Sequence, residues 1–272
     1  MTRLSSLGEL GLLEELERRG LIVGVEHDAA QIGGLVLTQD ALVEGVHFRL
    51  DRLSWTELGW RAAAVNISDL AASGAQPLGL LVSLALPADA DSADVIAFYE
   101  GIAETGVPVV GGDTTAANEV VVSVTAAGRS ERVPGRAGAL PGDVVVVTGP
   151  LGAAGAAFRS GAYVRPPLRV EEGRRLAESA HALIDVSDGL AVDAGHISRR
   201  SGVRLVIELD RVPLAPGATV ADLGFGEDFE LLAAVRRAAG FTAIGRVEEG
   251  EGVELLRDGS PVELRGWEHF RA

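Results

Sequence analysis

The stretch "WTELGWRAAAVNISDLAASGAQPLGLLVSLALP", residues 55–87, changes character halfway along. Up to Ala75 its apolar residues recur at helical spacing, and Ser54 stands where a first-turn cap belongs. From Gly79 onward a run of Leu and Val closed by Pro87 reads as a strand. A helix feeding a strand is the unit of α/β layering. Outward from it, residues 7–19 and 91–106 repeat the helical pattern. Short apolar runs at 21–23, 34–48, 108–115 and 119–129 read as strands. The Gly- and Pro-containing segment "VPGRAGALPGD" (133–143) reads as a linker, after which the alternation restarts with "VVVVTG" (144–149). Helical patterns at 151–161 and 170–180, a strand at 182–188, a helix ending at Ser201, and strands at 203–209 and 227–235 follow. The fold class is α/β (α+β layered), with two domains expected over residues 1–137 and 138–272.

What is missing from the composition narrows the chemistry. The 272 residues contain no Cys, and all 24 basic residues are Arg. Disulfides, thiolate nucleophiles and Cys-based zinc sites are therefore excluded, as are the Walker A lysine and any Schiff-base lysine. If the protein handles nucleotides, Arg, metal ions or backbone N–H groups must do it. A formal net charge of −15 argues against nucleic acid or anionic membrane as partners. The acidic start "MTRLSSLGELGLLEELERRG" is not a signal peptide, and the apolar windows are cut by Gly and Pro, so a cytoplasmic protein without a membrane span is expected.

Five short stretches share one grammar, an apolar run ending in an acid beside Gly, Ser or Thr: "VLTQD" (Asp40), "VNISD" (Asp69), "VVGGDTT" (Asp113), "LIDVSDG" (Asp185, Asp188) and "GFGEDFE" (Glu227, Asp228). One such Asp is commonly only a cap for free backbone N–H groups. Five are different, because strand ends in an α/β fold gather at one edge, where ligands bind. Carboxylates brought together there repel unless cations neutralise them. Mg²⁺ takes oxygen ligands and bridges carboxylates to phosphates, so a Lys-free, Asp-rich cleft suits phosphoryl transfer from a nucleotide. The five His are scattered without zinc-ligand spacing.

Seven motifs, in order and spacing, resemble the thiamine-monophosphate kinase family: "DALVEGVHF", "AVNISDLAASGAQP", "VVGGDTT", "RAGALPGD", "LIDVSDGLAVDAGHI", "GEDFELL" and "GWEHF". The family belongs to the aminoimidazole-ribonucleotide synthetase superfamily. The resemblance implies two α/β domains, a homodimer built through the N-terminal domains, and ATP in the cleft. It also implies direct in-line transfer from ATP to thiamine monophosphate without a phosphoenzyme; the acceptor is a phosphate monoester, largely dianionic at neutral pH, and such a nucleophile hardly needs a general base. By the same resemblance several Mg²⁺ ions fall to Asp28, Thr38, Asp40, Asp69, Asp113, Asp185 and Asp188. ATP contacts fall to Tyr99, Gly112, Asp113, Arg136 and Ser187. The substrate falls to His47 as a donor to phosphate, Glu227 as an acceptor from the aminopyrimidine, and Trp267 as a stacking face.

The chain departs from the pattern in three places. Glu26-His27 stands where the family has Gly-Asp before Asp28, Gln39 replaces a hydroxyl residue, and Phe225-Gly226 replaces Gly-Gly. An imidazole is a poor Mg²⁺ ligand, so within the triplet only Asp28 keeps a metal role. The segments near 152–168 and 213–225 look short for the family. His181, His196 and His269 read as structural. A related ATP-using synthetase and a non-catalytic nucleotide-binding relative stand as the alternatives to an active kinase.

Overall fold

A computed structural model describes residues 4–23 and 27–267. The first half runs α1 (Leu4–Arg18), β1 (Ala30–Ile32), β2 (Leu35–Val43), α2 (Trp55–Ala72), β3 (Gln76–Leu86), α3 (Ser92–Ala103), β4 (Val109–Ala116) and β5 (Val121–Arg129). Its strands form one sheet in the order β1-β2-β5-β3-β4, antiparallel except for the parallel β3–β4 pair. The second half runs β6 (Val144–Val147), α4 (Ala153–Ser160), α5 (Val170–Ala177), β7 (Ala180–Asp185), α6 (Leu190–Ser201), β8 (Arg204–Glu208), β9 (Leu231–Val235), β10 (Thr242–Glu248), β11 (Gly252–Arg257) and β12 (Ser260–Val262). These strands form a seven-stranded sheet, β12-β11-β8-β10-β6-β9-β7. The α/β class follows the sequence pattern.

One local expectation changes, and three further strands appear. Leu21–Val23 forms no strand; Val23 is 89% exposed, and a three-residue run directly after α1 has no sheet edge to join. Strands β10 to β12 had no clear alternation to announce them. Within β10 the ladder to β6 shifts register between Ala243 and Gly245, and Gly245 lies so close to β8 that a Cβ there would come 2.2 Å from the Val206 carbonyl oxygen.

Helix α2 organises the first half. Ser54 caps it, accepting from the Glu57 N–H while the Glu57 carboxylate accepts from the Ser54 N–H. The helix is buried on nearly all sides, as its run of Ala, Leu and Ile requires. On one side it covers the sheet, burying Val122, Val124 and Ala126 of β5. Beside it α3 crosses so closely that a Cβ on Gly59 would lie 1.8 Å from the Phe98 carbonyl oxygen, and one on Gly101 1.9 Å from that of Thr56. Its C-terminal turn reaches the second half, where Ala71 and Ala72 join a core with Val146, Leu176 and Leu183.

The opposite face of the first sheet is open. Strand β4 is exposed along its length, and Leu81 and Val110 lie bare on that side. The 133–143 linker is tied to the second half, its Gly135 carbonyl accepting from the Leu183 N–H at 2.8 Å. Among the described residues no helix is long and apolar enough to cross a membrane.

Candidate active site

A cleft of about 1240 Å³ lies where the two halves meet. One wall is α2, whose polar side chains interrupt an otherwise apolar helix, and each has a defined partner. Asn66 accepts from the Asp40 N–H at 3.1 Å, and Ser68 donates to Asp185 at the end of β7 at 2.6 Å. Asp69 accepts from the Thr38 hydroxyl, and Arg61 pairs with Glu227.

The acids gather at one end. Carboxylate oxygens of Asp28, Asp69 and Asp185 all lie within 4.8 Å of one another, and Asp40 lines the same cleft. Asp28 sits in the turn before β1, Asp40 on the α2-facing side of β2, Asp69 on α2 and Asp185 at the end of β7. Burial, followed by repulsion from Asp40, Asp185 and Asp28, raises the Asp69 carboxyl well above its usual range. Burial and the charge of Asp28 push Asp185 up to about 8, against the lowering effect of the Ser68 hydrogen bond. Asp28 and Asp40 are raised chiefly by burial.

The counter-charge inside this group is Arg136. Its Nε and Nη2 both donate to Oδ1 of Asp28, at 2.8 and 2.6 Å. The other Asp28 oxygen, Oδ2, is buried without a partner among the described residues, which costs about 1–3 kcal/mol unless something binds it. A hard divalent cation fits this set: several buried oxygen donors, an excess of negative charge and one oxygen left unsatisfied.

A second acidic group stands beside it. Asp188, Asp193 and His196 offer atoms within 4.8 Å of one another. Asp193 Oδ2 accepts from the backbone N–H groups of Ser187, Asp188 and Gly189 at 3.1, 3.1 and 3.0 Å, fixing the loop that carries Ser187 and Asp188 into the cleft. Burial lowers His196 to about 3, so its imidazole is neutral.

The other end is basic and aromatic. His47 accepts from the Val43 N–H through Nδ1 at 3.0 Å, which places the neutral ring's proton on Nε2. Trp267, 51% exposed, lines the cleft with its backbone N–H on the Asp188 carbonyl at 2.9 Å. Phe158 and Phe225 pack with ring centroids 5.0 Å apart. Glu227 adopts φ 60, a conformation rare for a residue with a Cβ. Gly226 before it has φ 80, and a Cβ there would lie 2.2 Å from the Ser187 carbonyl oxygen. Asp228 turns away and accepts from the Gly152 N–H at 2.7 Å, so it acts as a cap for the start of α4.

The site residues anticipated from sequence divide into two groups. Asp28, Thr38, Asp40, Asp69, Asp185, Asp188, Arg136, Ser187, His47, Glu227 and Trp267 all border this cleft. Tyr99, Gly112 and Asp113 do not. Asp113 is exposed on β4, in register with Ser83 of β3, on the open face of the sheet. It lies three strands from β2, roughly 14 Å at normal strand spacing, and on the side away from α2. Tyr99 on α3 is hydrogen-bonded to Thr114 of the same strand. Glu26 and His269 lie outside the described residues.

A family model, AIR synthase related protein, N-terminal domain, matches residues 26–130. Thiamine-monophosphate kinase of Aquifex aeolicus is 34% identical, with 98% of this chain and 100% of that protein covered. This chain belongs to the thiamine-monophosphate kinase family. The family's protein from Archaeoglobus fulgidus is 37% identical over 90% of each chain. A solved structure, AaThiL complexed with AMPPCP and TMP, superposes with a TM-score of 0.87 at 33% identity over 99% of both chains.

Arg61, Asn66, Ser68 and Asp193 escaped the sequence reading. The first three had a usable signal: polar residues inside an apolar helix must either find partners or line a site. Asp193 is an acid in the first turn of α6, and nothing in the sequence shows that three backbone donors converge on it.

Proposed function

We propose that the chain transfers the γ-phosphoryl group of ATP to the phosphate of thiamine monophosphate, giving ADP and thiamine diphosphate, in the cytoplasm. The observation that carries this reading is the polarity of the cleft. Buried carboxylates with an unsatisfied Asp28 oxygen stand at one end, and Glu227, Trp267 and His47 at the other. The family's relatives are named for this reaction, and the solved relative holds AMPPCP and TMP.

The acceptor is a phosphate monoester with a second pKa of about 6, largely dianionic at neutral pH, so the nucleophile needs no base. The difficulty is holding two polyanions in line. Asp28, Thr38, Asp40, Asp69, Asp185 and Asp188 are the residues that would hold Mg²⁺. Bound there, the cations supply neutralisation of the phosphate charges. His47 presents Nε2–H to the acceptor phosphate, Ser187 and Arg136 border the nucleotide, and Trp267 offers its ring to a cationic heterocycle.

The domain roles follow. Residues 1–137 carry most of the acids and the dimerising sheet, and residues 138–272 close the cleft with Asp185, Ser187, Asp188, Glu227 and Trp267. The open face of the first sheet is the surface for a homodimer. Asp113 stands on that side, so it reaches a nucleotide from the neighbouring copy, with Gly112 beside it in β4 and Tyr99 behind the same strand on the helix side, bonded to Thr114. The test is direct: purified protein, ATP, Mg²⁺ and thiamine monophosphate, followed by chromatography for thiamine diphosphate. Product supports the reading. No product at any Mg²⁺ or Mn²⁺ concentration, with ATP still bound, overturns it in favour of a non-catalytic relative.

A further inference from the structure

Along α2, Arg61 and Asp69 lie eight residues apart, and Val65 stands between them in the wall of the same cleft. Eight residues are slightly over two turns, so the two side chains share a face with about 12 Å of axial separation. Asp69 marks the end where the phosphoryl group moves. Arg61 marks the other end, where its guanidinium engages Oε1 of Glu227. Glu227 Oε2 has no hydrogen-bond partner among the described residues, and Glu227 lines the cleft.

Arg61 is 8% exposed, and its Nε is buried without a hydrogen-bond partner among the described residues. The hydroxyl of Tyr163, another cleft residue close enough to feel the charges of Arg61 and Glu227, is also buried and unpartnered. A buried arginine with one carboxylate partner and an idle donor is an expensive way to fill space. It is economical as a support, because the rigid guanidinium fixes the carboxylate that it holds. Glu227 needs such a support, since its backbone is at φ 60 on a loop and its side chain is 34% exposed.

We propose that Arg61 is a specificity-positioning residue. It holds Glu227 so that one carboxylate oxygen accepts from an amino-substituted heterocycle at a distance from the phosphoryl-transfer end that α2 sets. The inference rests on the proposed reaction and adds the residue that selects the far end of its acceptor. An amino group donates to a fixed carboxylate oxygen, whereas an exocyclic carbonyl oxygen at the same place repels it. Discrimination between the two therefore depends on the aim of Glu227, and through it on Arg61. A binding site that depends on one satisfied polar contact discriminates far more strongly than one that measures size.

The experiment compares thiamine monophosphate with its 4-oxo analogue, oxythiamine monophosphate, in wild type, Arg61→Gln, Glu227→Gln and the double variant. Equilibrium binding is measured by calorimetry, and turnover with Mg²⁺ and ATP separately. Wild type is expected to prefer the amino compound. In R61Q and in E227Q the preference falls at least ten-fold, KM rises with kcat nearly kept, and the double variant is no worse than either single one. Arg61→Lys restores part of the preference. An unchanged preference in R61Q, or an equal loss of both ligands, overturns the proposal. So does additivity of the two substitutions. Should R61Q not fold, R61K is read in its place: a measurable fall in preference supports the assignment and a wild-type ratio overturns it. Because the binding arm needs no turnover, a protein that binds these ligands but makes no thiamine diphosphate defeats the proposed reaction and leaves the role of Arg61 to be judged on the ratio.

Discussion

Arg136 donates two hydrogen bonds to the same oxygen of Asp28, at 2.8 and 2.6 Å, tying the linker between the two sheets to the turn before β1. The pair joins a residue expected to meet ATP phosphates with one expected to hold a cation. Each keeps the other in place at the acidic end of the cleft, and Asp28 Oδ2 is left over.

Removing the arginine leaves a buried acid without its counter-charge. Arg136→Gln is expected to weaken ATP binding ten-fold or more. It should also lower the melting temperature of the metal-free protein more at pH 8 than at pH 5, because burial raises the Asp28 carboxyl and the charge that Arg136 balances is therefore smaller at the lower pH. Calorimetric ATP titration and melting curves at the two pH values check both parts. Equal losses at the two pH values would remove the electrostatic account.

Asp69 carries the most crowded charge in the cluster. Asp69→Asn is expected to cut turnover at least a hundred-fold while raising the metal-free melting temperature by roughly 2–4 °C at pH 8, because one repelling acid disappears and the Thr38 hydrogen bond survives. Wild-type turnover from this variant would show that the cluster is not a metal site.

The whole group gives the unliganded protein an inverted pH response. The folded pKa of Asp185, about 8, stands above the 3.8 of an exposed Asp, so between these values the folded state binds more protons than the unfolded one. Stability contributed by this group is full below about pH 4 and lost as pH rises toward 8, by up to about 1.4 kcal/mol per unit for each proton. Melting temperature without divalent cation is expected to fall from pH 5 to pH 8, and the gain on adding Mg²⁺ to grow over the same range. A metal-free protein that is most stable at pH 8 would contradict this.

Asp113 lies too far from Asp69 to serve the same cluster within one chain. Asp69→Asn and Asp113→Asn are each expected to be nearly inactive alone. Mixed under conditions that exchange subunits, they should recover about a quarter of wild-type activity, since half the dimers are mixed and each then holds one intact site. No recovery after confirmed exchange would place Asp113 in the site of its own chain.

The alternating pattern around residues 55–87 disclosed the layering, because α2 and β3 keep clean periodicities. Strands β10 to β12 were hidden by Gly245, Arg246 and short length, which break alternation without preventing pairing. Asp28, Asp69 and Asp185 stand together as their motifs suggested, because each sits at an element end facing one cleft. The pairing of Arg136 with Asp28, and of Arg61 with Glu227, could not be read from motifs. Contacts across 108 and 166 residues depend on how two sheets meet, which no local spacing encodes.

The position of α2 has a thermodynamic consequence. Leu58, Ile67 and Leu70 belong to the core of the first half, while Ala71 and Ala72 pack with Leu176, Leu183 and Val146 of the second. Behind them, a Cβ on Gly173 of α5 would come within 2.1 Å of the Ala71 carbonyl oxygen, so the helix has no slack on either side. Loosening one half therefore strips packing from the other, and the chain is built to melt in one cooperative step. Cut near residue 137, the N-terminal piece would keep its sheet but expose the last turn of α2, and the substrate cleft would vanish along with the partnership that stabilised it.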